Sequence, residues 1–214
     1  MPNSNLRHIV LVLDRSGSMT AVKDGTEGGL AAFLEAQHEN TGDTQVSLYQ
    51  FDTKYEPVYE NVALADVPAY VLVPRGGTAL LDAIGRTISS VKTQIKALDE
   101  DERPGEVVLV ILTDGEENSS HEYTLEQVKK KIEKRRAKGW QVVFLGADQD
   151  AITVAAGMGI GRETSLAYTA RMTGRSMSTV ARMMARGSKS GKYEFTDEER
   201  KAAIHGEPEE GAQA

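Results

Sequence analysis

The stretch Ile9-Val10-Leu11-Val12-Leu13-Asp14-Arg15-Ser16-Gly17-Ser18 holds both a structural and a chemical signal. Five consecutive β-branched or leucine side chains, with no polar alternation, read as a strand covered on both faces. The run stops at an aspartate, and two serines flank a glycine directly after it. In an open α/β sheet, ligands gather beyond the carboxyl ends of the strands, at the point where strand order reverses.

The same grammar recurs further along. Val107–Leu112 is a second fully apolar run, and Thr113-Asp114-Gly115-Glu116-Glu117-Asn118 follows it. Gly76-Gly77-Thr78 stands before a long helical pattern, in which Leu81, Ile84, Ile88, Val91, Ile95 and Leu98 recur at three- and four-residue steps. Between these lie a helix over Gly28–Glu39, a strand over Val46–Phe51 and an antiparallel neighbour or edge over Tyr55–Val62. Thr124–Lys138 reads as an amphipathic helix with Gly139 as its C-terminal cap. Trp140–Leu145 reads as a strand, Asp148–Ala156 as a short helix, Arg162–Leu166 as a last short strand and Ser178–Arg186 as a helix. Strands alternating with helices predict an α/β fold, a doubly wound sheet with helices on both faces. From about Asp197 the sequence turns acidic and poor in apolar residues, which predicts a disordered tail.

Two aspartates, two serines and a threonine are hard oxygen donors. With no imidazole or thiolate among them, they favour Mg²⁺, Mn²⁺ or Ca²⁺ over zinc or copper. Mg²⁺ takes six oxygens and usually retains some waters. If the aspartates act through water, three neutral hydroxyls leave the charge of the ion largely uncancelled. An incoming carboxylate then finds an electrophilic position, which makes a binding device rather than a hydrolytic one.

Asp14-x-Ser16-x-Ser18, Thr78 after a glycine pair and Thr113-Asp114-Gly115-x-x-Asn118 together resemble the metal-ion-dependent adhesion site (MIDAS) of von Willebrand factor type A (vWA) domains. The resemblance runs from roughly Leu6 to Leu166. It implies a Rossmann-like, mostly parallel six-stranded sheet with one antiparallel edge strand. It also implies a Mg²⁺ held by Asp14, Ser16, Ser18, Thr78 and Asp114, with Glu or Asp from a protein partner completing the coordination. The expected division is a vWA domain over residues 1–170, a basic helical extension over 171–192 packed on or beside it, and an acidic tail over 193–214. The expected function is that of a non-enzymatic adaptor or scaffold, cytoplasmic and of bacterial or phage origin.

Other residues receive plainer readings. Glu116 and Glu117 read as solvated loop carboxylates, Asn118 as a brace for its own loop and Asp52 as a turn residue. Arg75 is a candidate for contact with an acidic partner. Lys129-Lys130-Lys131 and Lys134-Arg135-Arg136 read as the solvated face of a helix. Arg162, Arg171, Arg175, Arg182, Arg186, Lys189 and Lys192 form a basic region before the tail; a plain surface helix is the first reading, docking to an acidic partner or to the tail the second. Met172, Met177, Met183 and Met184 fit core packing of a helix or, less simply, an adaptable contact surface.

Composition narrows the classes. With no cysteine, disulfide scaffolds, thiolate zinc sites and cysteine nucleophiles are excluded. A formal charge of -7 argues against nucleic acid as the default ligand. No run reaches the roughly 20 apolar residues of a membrane span. Two alternatives stay open: a Mg²⁺-dependent phosphohydrolase of haloacid-dehalogenase type, and a nucleic-acid-associated vWA module using the basic C-terminal segment. The first wants a second aspartate two residues after Asp14, where Ser16 stands, and a phosphate-neutralising lysine.

Overall fold

The computed structural model describes residues 1–147 and 150–206. Six strands, β1 (Asn3–Asp14), β2 (Asp43–Phe51), β3 (Tyr55–Ala63), β4 (Pro104–Thr113), β5 (Gln141–Ala147) and β6 (Ser165–Tyr168), form one sheet in the order β3-β2-β1-β4-β5-β6. All neighbours are parallel except β2 and β3. The expected α/β architecture, with five parallel strands and one antiparallel edge, is the one observed.

The unbroken apolar runs are explained by the two layers they serve. Ile9, Leu11 and Leu13 enter one core with Val108, Val110 and Leu112, while Val10 and Val12 enter the other with Leu109 and Ile111. The first core is closed by α1 (Lys23–Gln37) and α5 (Thr173–Ser190), the second by α2 (Leu80–Ala97), α3 (Leu125–Arg136) and α4 (Ala151–Gly157). Burying each such side chain contributes on the order of 1.5–3 kcal/mol, so a strand with both faces covered can carry no polar alternation.

The chain leaves β1 toward β2 on one side and leaves β4 toward β5 on the other. Strand order therefore reverses between β1 and β4, with Leu13 in register with Leu112. The crevice at that switch point opens at the carboxyl ends of these two strands, where Asp14 and the Thr113–Asp114 pair emerge.

One expectation for the C-terminal region changes. Asp197–His205 is a helix, α6, and not an unstructured segment. Thr196 and Glu199 form a reciprocal capping box at its start, which satisfies two backbone donors at once. Glu199 also receives both ends of the Arg186 guanidinium, at 2.6 and 2.8 Å, and Ala203 is buried in the first core. The acidic stretch Glu207–Gly211, like Asp148 at the start of the expected fourth helix, lies outside the described residues. The basic helix packs on the domain, and three of its methionines enter the core. Met177, Val180, Met183 and Met184 of α5 are buried, and α5 sits so close to α1 that a Cβ on Gly29 would stand 2.8 Å from Gly174 Cα.

Candidate metal centre

The five residues singled out from the sequence converge at the β1/β4 switch point. Asp14 is fully buried at the end of β1. Its Oδ1 accepts the Ser16 backbone N–H at 2.7 Å, and its Oδ2 accepts the Thr113 hydroxyl at 2.6 Å. Ser16 and Ser18 bring their hydroxyl oxygens within 3.0 Å of each other, and Ser18 Oγ donates to Asp114 Oδ1 at 2.7 Å. Thr78 arrives from the third loop. A Cβ built on Gly115 would stand 3.0 Å from Thr78 Oγ1, 3.4 Å from Ser18 Oγ and 3.7 Å from Ser16 Oγ. Three hydroxyls from two loops thus surround one point, which is open because residue 115 has no side chain.

The loops are locked to one another through their backbones. Gly17 N–H donates to Gly76 O at 3.1 Å, Arg75 N–H to Arg15 O at 2.8 Å and Ala79 N–H to Asp52 O at 3.0 Å. Gly76 adopts a left-handed φ of 69°, a conformation that glycine reaches without penalty. A Cβ on Gly77 would collide with Ser119.

Charge is arranged in two compartments. Arg15, although inside the Asp14–Ser18 loop, turns away and pairs with Asp52 Oδ2 at 3.0 Å and Glu56 Oε2 at 2.8 Å. Arg75 reaches the same two carboxylates at 2.6 and 2.9 Å. Burial favours a neutral Asp52, but Arg75, the Lys54 N–H and Arg15 outweigh it and hold the carboxyl below the usual range. Two cations and two anions cancel there. Asp52 is therefore an ion-pair anchor as well as the turn residue expected, and Arg75 is engaged within the chain.

Asp14 has no such counter-charge among the described residues. Burial pushes its carboxyl up to about 6, against the downward pull of the hydrogen bonds from Thr113 and Ser16 and with a smaller upward push from Asp114. A buried anion without a partner is costly, and a divalent cation would remove that cost. The donor set fits such an ion: two carboxylates, three hydroxyls and no nitrogen or sulfur.

Three contributors were read differently from the sequence. Glu117 is not a solvated carboxylate. Its oxygens accept from Leu81 N–H at 2.9 Å, Ser119 N–H at 3.0 Å, and the N–H and hydroxyl of Ser120 at 2.8 and 2.7 Å. It thereby caps the first turn of α2, which follows Thr78, where a carboxylate is favoured. Asn118 braces more than its own loop: Thr78 N–H donates to Asn118 Oδ1 at 2.9 Å, and Asn118 N–H to Thr78 O at 3.0 Å. Asp82, to which no role was given, accepts three backbone N–H groups, from His121, Glu122 and Tyr123. Together these fasten the Thr78 loop to the Asp114 loop. Glu116 is exposed, as expected.

Among the lysines of α3, Lys130 pairs with Glu126 and Lys131 donates to Ser89 Oγ, while Arg135 is buried with its guanidinium over Trp140. No helix among the described residues is long and apolar enough to cross a membrane.

No family model matches the chain, and no curated protein matches it in sequence. Solved structures do resemble it. Proximal thread matrix protein 1 from the mussel byssus superposes with a TM-score of 0.60 at 16% identity, over 85% of this chain and 46% of that one. A further structure of that protein has a zinc-occupied MIDAS motif, with a TM-score of 0.56 at 16% identity over 88% and 46% of the two chains. The vWF domain of the type V pili tip protein Mfa5 from Porphyromonas gingivalis gives 0.60 at 9% identity over 91% and 99%. The ArnB paralog VWA2 from Sulfolobus acidocaldarius gives 0.55 at 17% identity over 84% and 45%. This chain thus spans under half the length of the mussel and archaeal proteins. At these identities the likeness establishes the fold: the chain has the α/β architecture of vWA domains.

Proposed function

We propose that this chain is a divalent-metal-dependent protein-interaction module, an adaptor or scaffold whose metal presents an open coordination position to an acidic side chain of a partner. The supporting observation is the cradle at Gly115, where the hydroxyls of Ser16, Ser18 and Thr78 face one point beside the carboxylates of Asp14 and Asp114. In this reading Ser16, Ser18 and Thr78 hold the ion, and Asp14 and Asp114 hold it directly or through water. Bound there, the metal supplies a Lewis-acidic position for a carboxylate oxygen. The ion favoured by an all-oxygen set is Mg²⁺, with Mn²⁺ or Ca²⁺ as substitutes. The zinc-occupied MIDAS motif of the mussel protein supports divalent binding by this architecture. A cytoplasmic setting belongs to the same proposal.

A phosphohydrolase is disfavoured by the chemistry around Asp14. The position two residues on is Ser16, whose hydroxyl faces the cradle, and the three side chains nearest a Cβ on Gly115 are all hydroxyls, with no lysine among them. Nucleic-acid binding is disfavoured by the chain's acidity and by the partial internal pairing of the basic helix through Arg186 and Glu199.

The test is a calorimetric Mg²⁺ titration of the full chain beside the Asp14→Ala variant. One site per chain, lost in the variant, is the expected result. Equal binding by both proteins would move the metal elsewhere and sink the assignment.

A further inference from the structure

A cleft of about 410 Å³ lies beside the candidate metal centre, between the β2–β3 turn and the first turns of α2. Its lining is continuous with the backbone of that centre. Phe51 is in register with Asp14, and its carbonyl accepts the Arg15 N–H at 2.8 Å. Ala79 follows Thr78 directly, and its N–H donates to Asp52 O at 3.0 Å. Thr53 closes the same side: a Cβ on Gly76 would stand 3.3 Å from Thr53 Oγ1. From Ala79 the lining continues to Ala83, about one helical turn, or 5.4 Å, along α2.

Most charged groups in this lining are paired within the chain. Glu56 receives Arg15 and Arg75. Asp82 accepts the N–H groups of His121, Glu122 and Tyr123, and Arg86 is held by both oxygens of Glu122. Lys54 differs: it is exposed, and no described carboxylate neutralises it. The remaining surface is apolar, from Phe51, Ala79, Ala83 and the ring of Tyr55. That ring is fixed in advance by stacking on Tyr49 with centroids 5.5 Å apart, and by the Thr87 hydroxyl, which donates to its oxygen at 3.1 Å. A preformed wall lowers the cost of binding. An apolar slot with an ammonium at its rim suits an aromatic ring, whose face attracts the cation. An aliphatic group would gain nothing from Lys54, and a carboxylate would gain nothing from the apolar wall.

We infer that this cleft receives an aromatic side chain of the partner, two residues along the chain from the acidic residue that meets the metal. In an extended segment, side chains two residues apart point to the same face. The same two residues span about 7 Å, which carries a ring from above Thr78 into the cleft. The recognised unit is therefore an acid–aromatic pair, not a carboxylate alone. The inference rests on the metal-binding reading given above, and it adds the chemistry of the partner segment.

The experiment follows amide spectra of the ¹⁵N-labelled full chain, with Mg²⁺ present, during titration with terminally blocked peptides. The probes are Gly-Asp-Gly-Tyr-Gly, the reversed order Gly-Tyr-Gly-Asp-Gly, and counterparts with Ala, Leu or Glu in place of Tyr. One of the two Tyr peptides is expected to bind about ten-fold more tightly than its Ala counterpart, with shifts in residues 51–56 and 79–86. K54Q should narrow that ratio by roughly three-fold; an undiminished ratio would overturn the placement of the ring under Lys54. Equal affinity for Tyr and Ala peptides, a preference for Leu or Glu, or no response to any peptide while Mg²⁺ binds would each overturn the inference and leave the metal site standing. A Tyr preference that survived replacement of the peptide's Asp by Asn would overturn the pairing of cleft and metal. Absence of Mg²⁺ binding in parallel calorimetry would overturn the metal reading itself.

Discussion

The substitution Gly115→Ala separates the proposed metal centre from the fold. The added methyl carbon would stand 3.0 Å from Thr78 Oγ1, 3.4 Å from Ser18 Oγ and 3.7 Å from Ser16 Oγ. A Mg²⁺ ion needs oxygens at about 2.1 Å, so a carbon crowded against the same three oxygens competes for its space. Gly115 does not have a left-handed φ, so alanine enters without backbone strain. The position is half-exposed, and the cost to the metal-free fold is of the order of 0.5 kcal/mol or less. The proposed ion stabilises the folded state by about 2.7 kcal/mol at a hundred-fold excess over its dissociation constant. For a domain of this size each kcal/mol moves the melting temperature by roughly 2–4 °C. Added Mg²⁺ should therefore raise the melting temperature of the unaltered chain by roughly 5–11 °C, by the same conversion. Gly115→Ala should start from nearly the same metal-free value and gain almost nothing. Differential scanning calorimetry with and without Mg²⁺ reads both quantities. A variant that kept the full Mg²⁺ shift would show that the hydroxyl cradle is not where the ion sits.

Three more outcomes follow from named contacts. Burial drops the His8 imidazole to about 4, against a weaker upward pull from Glu60, while its Nε2 lies 2.9 Å from Ser47 Oγ. The unfolded chain therefore binds the extra proton first, and His8 costs stability as the pH falls from 6.5 toward 4, by about 3 kcal/mol in all. In His8→Gln that part of the acid sensitivity should vanish from urea titrations run across the window; an unchanged slope would refute it. Asp14 acts in the opposite sense in the metal-free chain. Its raised carboxyl contributes stability that is complete below 3.8 and lost as the pH rises through about 6. At pH 7.5 without metal, Asp14→Asn should melt higher than the unaltered protein, yet lose the Mg²⁺ response; a lower melting point would contradict the buried-charge account. Finally, Gly29→Ala drives a methyl to 2.8 Å from Gly174 Cα and 3.2 Å from Met177 Cβ. The resulting overpacking should cost about 1–3 kcal/mol, and undiminished stability in denaturant would mean that α5 is not seated on α1.

The central strands and the five-residue constellation were legible because their signals are local. Ile9–Leu13 and Val107–Leu112 are each contiguous, and each is followed at once by its aspartate, so strand and site are written in one window of sequence. The roles of Glu117 and Asn118 are not local. Each depends on a partner 36 or 40 residues earlier, Leu81 and Thr78 respectively, and nothing in the loop itself says that a helix start lies opposite. Arg15 is similar, since its burial becomes evident only once Asp52 and Glu56 are placed beside it. The helix α6 is a different failure. Its charged composition outweighs two alanines in any hydropathy reading, but Thr196-x-x-Glu199 is a capping-box pattern that could have announced it.

The division of the core into two layers sets an order of assembly during synthesis. Among the described residues, the layer over α2, α3 and α4 draws on none beyond Ala167, so it can close while the C-terminal segment is still in the ribosome. The opposite layer lacks Met177, Val180, Met183, Met184 and Ala203 until α5 and α6 have been released. A nascent or prematurely terminated chain ending near Tyr168 thus leaves uncovered the apolar side chains of the first core that pack against the last two helices. Such surfaces draw chaperones and proteases. A chain truncated before α5 is therefore expected to be cleared where the complete chain is not.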